Sequence, residues 1–270
     1  MYLADSLANK KEKVRMFTVG FVPHLVVCAL FVGVALKQPD LDAALILGAM
    51  TLTLLFVAGT KISYIVIAVL AAAPGVYWAV VGTPWRLQRL FAYLDHWQYR
   101  RGAGYQITES LIAIGSGGVT GLGLGDGKQK LFYMPEAHSD FIMSNIGEEL
   151  GFVGFVSVLV LFGVILWRGM VIAVRAHSHF ATYVAFGLTF SITMQAALNI
   201  GVVLGAIPVT GLTLPFLSYG GTSLIVSLFS VGILLKISTQ KPVAAKSETR
   251  VRNAAVTNKK KKSRVCVVVP

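Results

Sequence analysis

Carboxylates are scarce in this chain. Its 270 residues carry 12 Asp and Glu against 24 Lys and Arg, and all charged residues together make up 13%. A globular chain usually carries about a quarter, so an ordinary soluble domain is excluded. Cysteine is almost absent too. Cys28 lies inside an apolar run and Cys266 in the tail, positions that do not meet. That excludes a disulfide framework and a cysteine-based zinc site. The first residues, MYLADSLANKKEKVR, lack the order of a secretory signal, because their charges follow a short amphipathic run instead of preceding an apolar one.

What the chain has is apolar length. Hydrophobic residues make up 55% of it, and mean hydropathy is +0.71. Uninterrupted apolar runs of roughly 20 residues mark bilayer-spanning helices. Such runs occupy 17–36, 41–59, 62–81, 180–206 and 214–236, and 142–167 is apolar after a polar beginning. The expected fold is an all-α polytopic membrane protein with about six spans.

The net charge of +12 could indicate nucleic acid, but its placement indicates a membrane. Lys10, Lys11, Lys13 and Arg15 precede the first span, Lys61 lies between the second and third, and Arg168 and Arg175 follow the fourth. The positive-inside rule puts these in the cytoplasm together with the Lys- and Arg-rich tail. Residues 1–236 then form the membrane part, and 237–270 a basic cytoplasmic tail. Its KKKK run (Lys259–Lys262) reads as disordered chain attracted to anionic headgroups. The segment 82–141 falls on the outer face. At about 60 residues it exceeds the usual connection, and such loops tend to carry function. Short or re-entrant helices are expected within it.

That outer segment opens with TPWRLQRLFAYL. Arg86 and Arg89 stand three apart on one helical face, beside an apolar stripe of Leu87, Leu90, Phe91 and Leu94. An amphipathic helix lying on the membrane and a pair of guanidinium forks for a phosphate are both consistent with this pattern. GSGGVTGLGLGDGKQK follows. It is neither a P-loop nor a G-x-G-x-x-G turn, so no nucleotide is expected. Its glycines let the backbone turn tightly and approach a neighbour closely. Then comes FYMPEAHSDFIMSNIGEELG, which gathers Glu136, Asp140, Glu148 and Glu149, four of the 12 carboxylates, with His138 among them. Glu136, His138 and Asp140 alternate, so an extended chain would project them to one side as candidate metal ligands. Alternatively, Asp140 caps the helix that follows.

GAGYQITESLIAIGSGG (102–118), GLGLGDGKQKLFYMPEAHSDFI (121–142), GEELGFVG (147–154) and GLTLPFLSYGGTS (211–223) resemble the SEDS polytopic glycosyltransferases of bacterial cell-wall synthesis. QKLFYMPEAHSD and GLTLPFLSYGG are closer to the division branch, FtsW, than to the elongation branch, RodA. Another branch, SpoVE, acts in sporulation. The resemblance implies polymerisation of lipid II into β-1,4 glycan outside the inner membrane, at the division septum, with release of undecaprenyl pyrophosphate. Implied partners are a class B penicillin-binding protein, other divisome membrane proteins and membrane lipids, with no nucleic acid.

The resemblance also assigns residues. The family's essential aspartate falls on Asp140. Arg86, Arg89, Gln106, Lys130, Glu136, His138 and Ser218 become candidate substrate contacts, and Asp140 with Glu136 candidate ligands of a divalent cation, Mg or Mn. One carboxylate base can take the proton of an attacking hydroxyl, while cations compensate a departing pyrophosphate that needs no acid. Two departures go with the resemblance. The chain starts within what corresponds to the family's fourth helix, leaving three spans and an S-E-x-x-K motif unmatched, as expected of a truncated start. Asp42 stands where the family's QPDLG pattern has glycine. Readings of another class are a transporter of a lipid-linked precursor and a non-catalytic division scaffold.

Overall fold

The computed structural model of the chain describes residues 1–10, 14–127 and 139–240. A short helix, α1 (Tyr2–Lys10), leads to a π-helical turn at Phe17–Phe21 that continues into α2 (Val22–Lys37). Then follow α3 (Leu41–Val57), α4 (Ile62–Val81), α5 (Pro84–Leu94) and α6 (Tyr105–Gly117). After the undescribed stretch come α7 (Ile142–Arg175), α8 (His179–Val203) and α9 (Gly221–Ser238). No strand occurs among the described residues.

All six apolar runs are helical. Among the described residues five helices are long and apolar enough to cross a membrane, and α3, at 17 residues, is a shorter apolar helix. Four boundaries differ from the sequence reading. α7 runs on to Arg175, so Arg168 and Arg175 lie within the helix and do not follow it. α3 stops at Val57, where Thr60 N–H bonds Leu55 O and Gly59 N–H bonds Phe56 O. α8 stops at Val203 in the same way, with Gly205 at φ +68°. Such a left-handed glycine closes a helix by satisfying its last carbonyls. The run from 214 becomes helical only at Gly221. Before it, Leu214 N–H bonds the Ser218 hydroxyl and Phe216 takes φ +69°. Composition could not show this, because the irregular stretch is nearly as apolar as the helix.

α8 is the central element. It packs on α1, α3, α6, α7 and α9. Lipid tails are as apolar as the helices, so association depends on close packing and small residues. A Cβ at Gly169 would meet Thr189, and one at Gly187 would touch Met50 and Leu54. Ala196 is buried in the cluster of Phe141, Phe155 and Leu214. These small residues are therefore spent inside the bundle and do not offer an outer seat for a partner helix. α4 is the opposite case: it buries no residue.

The glycine-rich stretch is used at a break in α7. Gly151 has φ +64° and ψ −161°, which interrupts the helix. The segment after α6 lies in the gap. Leu122 and Gly123 N–H donate to Glu148 and Glu149 O (3.0 and 3.1 Å), while Phe152 and Val153 N–H donate to Gly118 and Val119 O (2.9 and 3.2 Å). Irregular backbone is tolerated at membrane depth only when its polar groups are satisfied inside the protein. A Cβ at Gly121 would stand 2.1 Å from Glu149 O, so the approach requires glycine. The expected close backbone approach is present, and its neighbour is α7.

Candidate active site

At one end of the bundle, three stretches distant in sequence converge. They are 38–42 before and at the start of α3, the α4–α5 corner, and 207–212 after α8. Between them lies a cavity of about 480 Å³. Its lining includes the charged residues Asp40, Asp42, Arg86 and Arg89 and the apolar residues Leu45, Val76 and Val80.

Arg86 and Arg89 share the face of α5 that their spacing predicts, but their tasks differ. Both guanidinium groups lie over the Trp85 ring, at 4.9 and 5.0 Å from its centroid. Arg86 donates to Ala79 O (2.9 Å) and Pro39 O (2.7 Å). It thus ties the end of α4 to the α2–α3 turn. Arg89 makes one long bond, to Val209 O at 3.4 Å. Most of its fork is left for a ligand in the cavity.

Asp140 stands one residue before Phe141, which occupies the N-cap position of α7 without a side-chain cap. The capping alternative does not hold. Its Oδ2 lies 4.0 Å from where a Cβ would sit on Gly211. The N–H of that glycine donates to Asp42 Oδ2 at 3.3 Å. Asp42 and Asp140 therefore approach the same glycine of the cavity rim. Asp42, read in the sequence only as a departure, proves to be part of the cavity lining.

The main chain around Asp140 is held from two directions. The Ser218 hydroxyl donates to Ser139 O at 2.5 Å, and Asn199 Nδ2 donates to Asp140 O at 2.7 Å. Ser218 is thus brought to the site, against its backbone. Gln106 lies half-buried in the first turn of α6, and like Asp140 and Ser218 it is not among the residues lining the cavity. Lys130, Glu136 and His138 lie outside the described residues, and with them the extended-strand reading.

Sequence reasoning did not single out Asn199 at the site, nor the polar residues Gln195 and Glu109 beyond it. Asn199 is 1% exposed, and Gln195 Nε2 donates to Thr213 O at 2.9 Å. Glu109, on α6, is paired with Arg100 at 3.2 Å. The signal was available for the first two, because an amide inside an apolar span is costly unless it has a task.

A profile of the family described as "Cell cycle protein", FTSW_RODA_SPOVE, matches residues 1–242. The probable peptidoglycan glycosyltransferase FtsW of Geobacter metallireducens is 46% identical over 240 residues, which is 89% of this chain and 64% of that protein. Stage V sporulation protein E of Bacillus subtilis is 44% identical over 238 residues, 88% of this chain and 65% of that protein. Among solved structures, one described as "Structural coordination of polymerization and crosslinking by a peptidoglycan synthase complex" superposes with a TM-score of 0.72 at 31% identity. That match covers 87% of this chain and 66% of the other. The chain thus spans just under two thirds of the length of these two curated relatives.

Proposed function

The chain belongs to the Cell cycle protein family of FtsW, RodA and SpoVE, and from that premise we propose that it is a peptidoglycan glycosyltransferase. In this reading it polymerises lipid II into β-1,4 glycan and releases undecaprenyl pyrophosphate. The observation that carries it is the mixed lining of the cavity. A prenyl-linked diphosphate sugar has a polar and an apolar part, and the cavity is lined by both kinds of residue, Arg86 and Arg89 together with Leu45, Val76 and Val80.

The proposed reaction divides among named residues. Arg89, with its fork largely unspent, holds the diphosphate and stabilises the charge that grows as the anomeric C–O bond breaks. Arg86 keeps the α4–α5 corner in place. The Asp140 carboxylate takes the proton of the attacking sugar 4-hydroxyl as its oxygen bonds to the anomeric carbon, and the bonding pair leaves with the diphosphate. Lys130, Glu136, His138 and Gln106 remain proposed substrate contacts.

A divalent cation, Mg or Mn, is part of the proposal. Such ions are commonly held by one or two carboxylates together with substrate phosphates, and Asp140 with Glu136 would supply the protein side. Glu136 lies outside the described residues, and among those described no three His, Cys, Asp or Glu side chains converge.

The chain is a multi-pass membrane protein by family and by its apolar helices. We place the cavity on the outer face of the bacterial inner membrane, with the tail in the cytoplasm, following the distribution of Lys and Arg. We assign the protein to the division septum. A class B penicillin-binding protein is the proposed partner, a choice supported by the likeness to the peptidoglycan synthase complex.

Asp140→Asn keeps the shape and removes the base. Purified into vesicles with labelled lipid II, the variant should lose polymerisation by about 1,000-fold, within the range for a general base, while inserting normally. Full polymerisation by the variant would overturn the assignment. Lipid II crossing the bilayer without polymer formation would favour the transporter instead.

A further inference from the structure

Asn199 lies in the last turns of α8, at 1% exposure. Its amide nitrogen has two hydrogens, and both are spent on main-chain carbonyls: Asp140 O at 2.7 Å and Leu212 O at 2.6 Å. Its Oδ1 is buried without a hydrogen-bond partner among the described residues. That fixes the orientation of the amide. Turned over, its oxygen would face two carbonyl oxygens and both hydrogens would be lost to the backbone. A buried acceptor left without a partner pays its desolvation without return. Such a cost is tolerated where the donors have a definite task.

The two carbonyls belong to the two stretches whose spacing matters for chemistry. One is the Asp140 residue itself. The other is adjacent to Gly211, whose N–H meets Asp42 and which lines the cavity. We propose that Asn199 is a positioning residue that sets the distance between the Asp140 carboxylate and the cavity wall. Ser218 closes the same clamp from the other side through Ser139 O. Asn199 touches no substrate and acts only through the main chain. The proposal rests on the reading of Asp140 as the base.

Gln195 provides the control. It lies one turn away on the same helix and donates to Thr213 O, so it tethers the same rim without touching residues 139–140. The test compares Asn199→Asp with Gln195→Ala in the purified full chain, by hydrogen exchange and by lipid II polymerisation. Asp keeps the size of Asn but presents oxygen to both carbonyls. Amides 139–143 should exchange faster in Asn199→Asp and unchanged in Gln195→Ala.

Turnover should fall about 100-fold in Asn199→Asp, the usual consequence of misplacing a reacting group by about 1 Å. The apparent KM should stay within about threefold, because the binding groups are untouched. Gln195→Ala should lose less than about threefold in turnover, since it leaves the Asp140 main chain held. If Asn199→Asp does not fold, Asn199→Ser, which keeps one donor, should give an intermediate loss with the same kcat-against-KM split. Unchanged exchange at 139–143, or equal turnover losses at 199 and 195, would overturn the proposal. A wild-type chain that polymerises nothing would overturn the glycosyltransferase reading instead, and the exchange comparison would still decide whether the clamp exists.

Discussion

The two ends of the bundle are joined differently. At the cavity end, residues far apart in sequence are tied by polar contacts: Arg86 to Pro39, Tyr93 to Ala206, Asn199 to Asp140, Ser218 to Ser139 and Asp42 to Gly211. At the other end, the turns 58–61 and 176–178 are closed locally, by the glycine stop after α3 and by Ser178, whose hydroxyl accepts from Ala181 N–H at 3.2 Å. A larger hollow of about 720 Å³ lies there, lined by Arg15, Gly59, His179 and Tyr183 among others. Local caps are enough to end a helix. Cross-chain ties cost side-chain entropy, and most of them are at the cavity end, with His24 Nε2 and Ser6 Oγ (3.0 Å) forming one at the other. The proposed function thus belongs to the smaller of the two hollows, the one with the more tightly cross-tied walls.

The contrast can be broken most severely at the insertion into α7. Gly121→Ala would place a Cβ 2.1 Å from Glu149 O at a backbone φ of +82°. A loss on the order of 3 kcal/mol or more is expected, read as a collapse of thermal stability in detergent. An equally stable variant would mean that segment 118–123 is not held in the break.

Next in size is the separation of the two arginines. Arg89→Ala should cost about 100-fold in turnover, the scale of one preorganised contact to developing charge. Arg89→Lys should recover part of it, since the charge stays and the fork is lost. Arg86→Ala should lower thermal stability as well, because it releases Pro39 O and Ala79 O. If Lys serves as well as Arg at 89, the pair only anchors α5 to the membrane surface.

How far these features were legible differs by residue. The spans at 17–36 and 62–81 were plain, since nothing but a helix buries that much apolar chain in lipid. The break at Gly151 was not, because a glycine inside an apolar helical run is ordinary and the cause lies in the segment 118–123. Spacing alone put Arg86 and Arg89 on one face. Their different duties depend on carbonyls supplied by α4, the α2–α3 turn and the stretch after α8, which spacing cannot reveal. Asp140 was legible through its motif, whereas Asn199 was visible only as a polar residue in an apolar run. What singles it out is the pair of carbonyls it meets.

The smallest effect belongs to the other end. Ser178→Ala removes the N-cap of α8 and should cost about 1 kcal/mol of stability, with lipid II turnover unchanged. A loss of turnover there would weaken the division of labour between the two ends.

In the proposed function the lipid-linked diphosphate sits in the smaller, cross-tied cavity. A photoreactive prenyl diphosphate, cross-linked to the full chain in vesicles and mapped by peptide mass spectrometry, tests it directly. Label should fall on 38–45, 76–90 and 207–212, the stretches that line that cavity. Label concentrated instead around Leu7, Arg15, Gly59 and Tyr183, which line the larger hollow, would contradict the account.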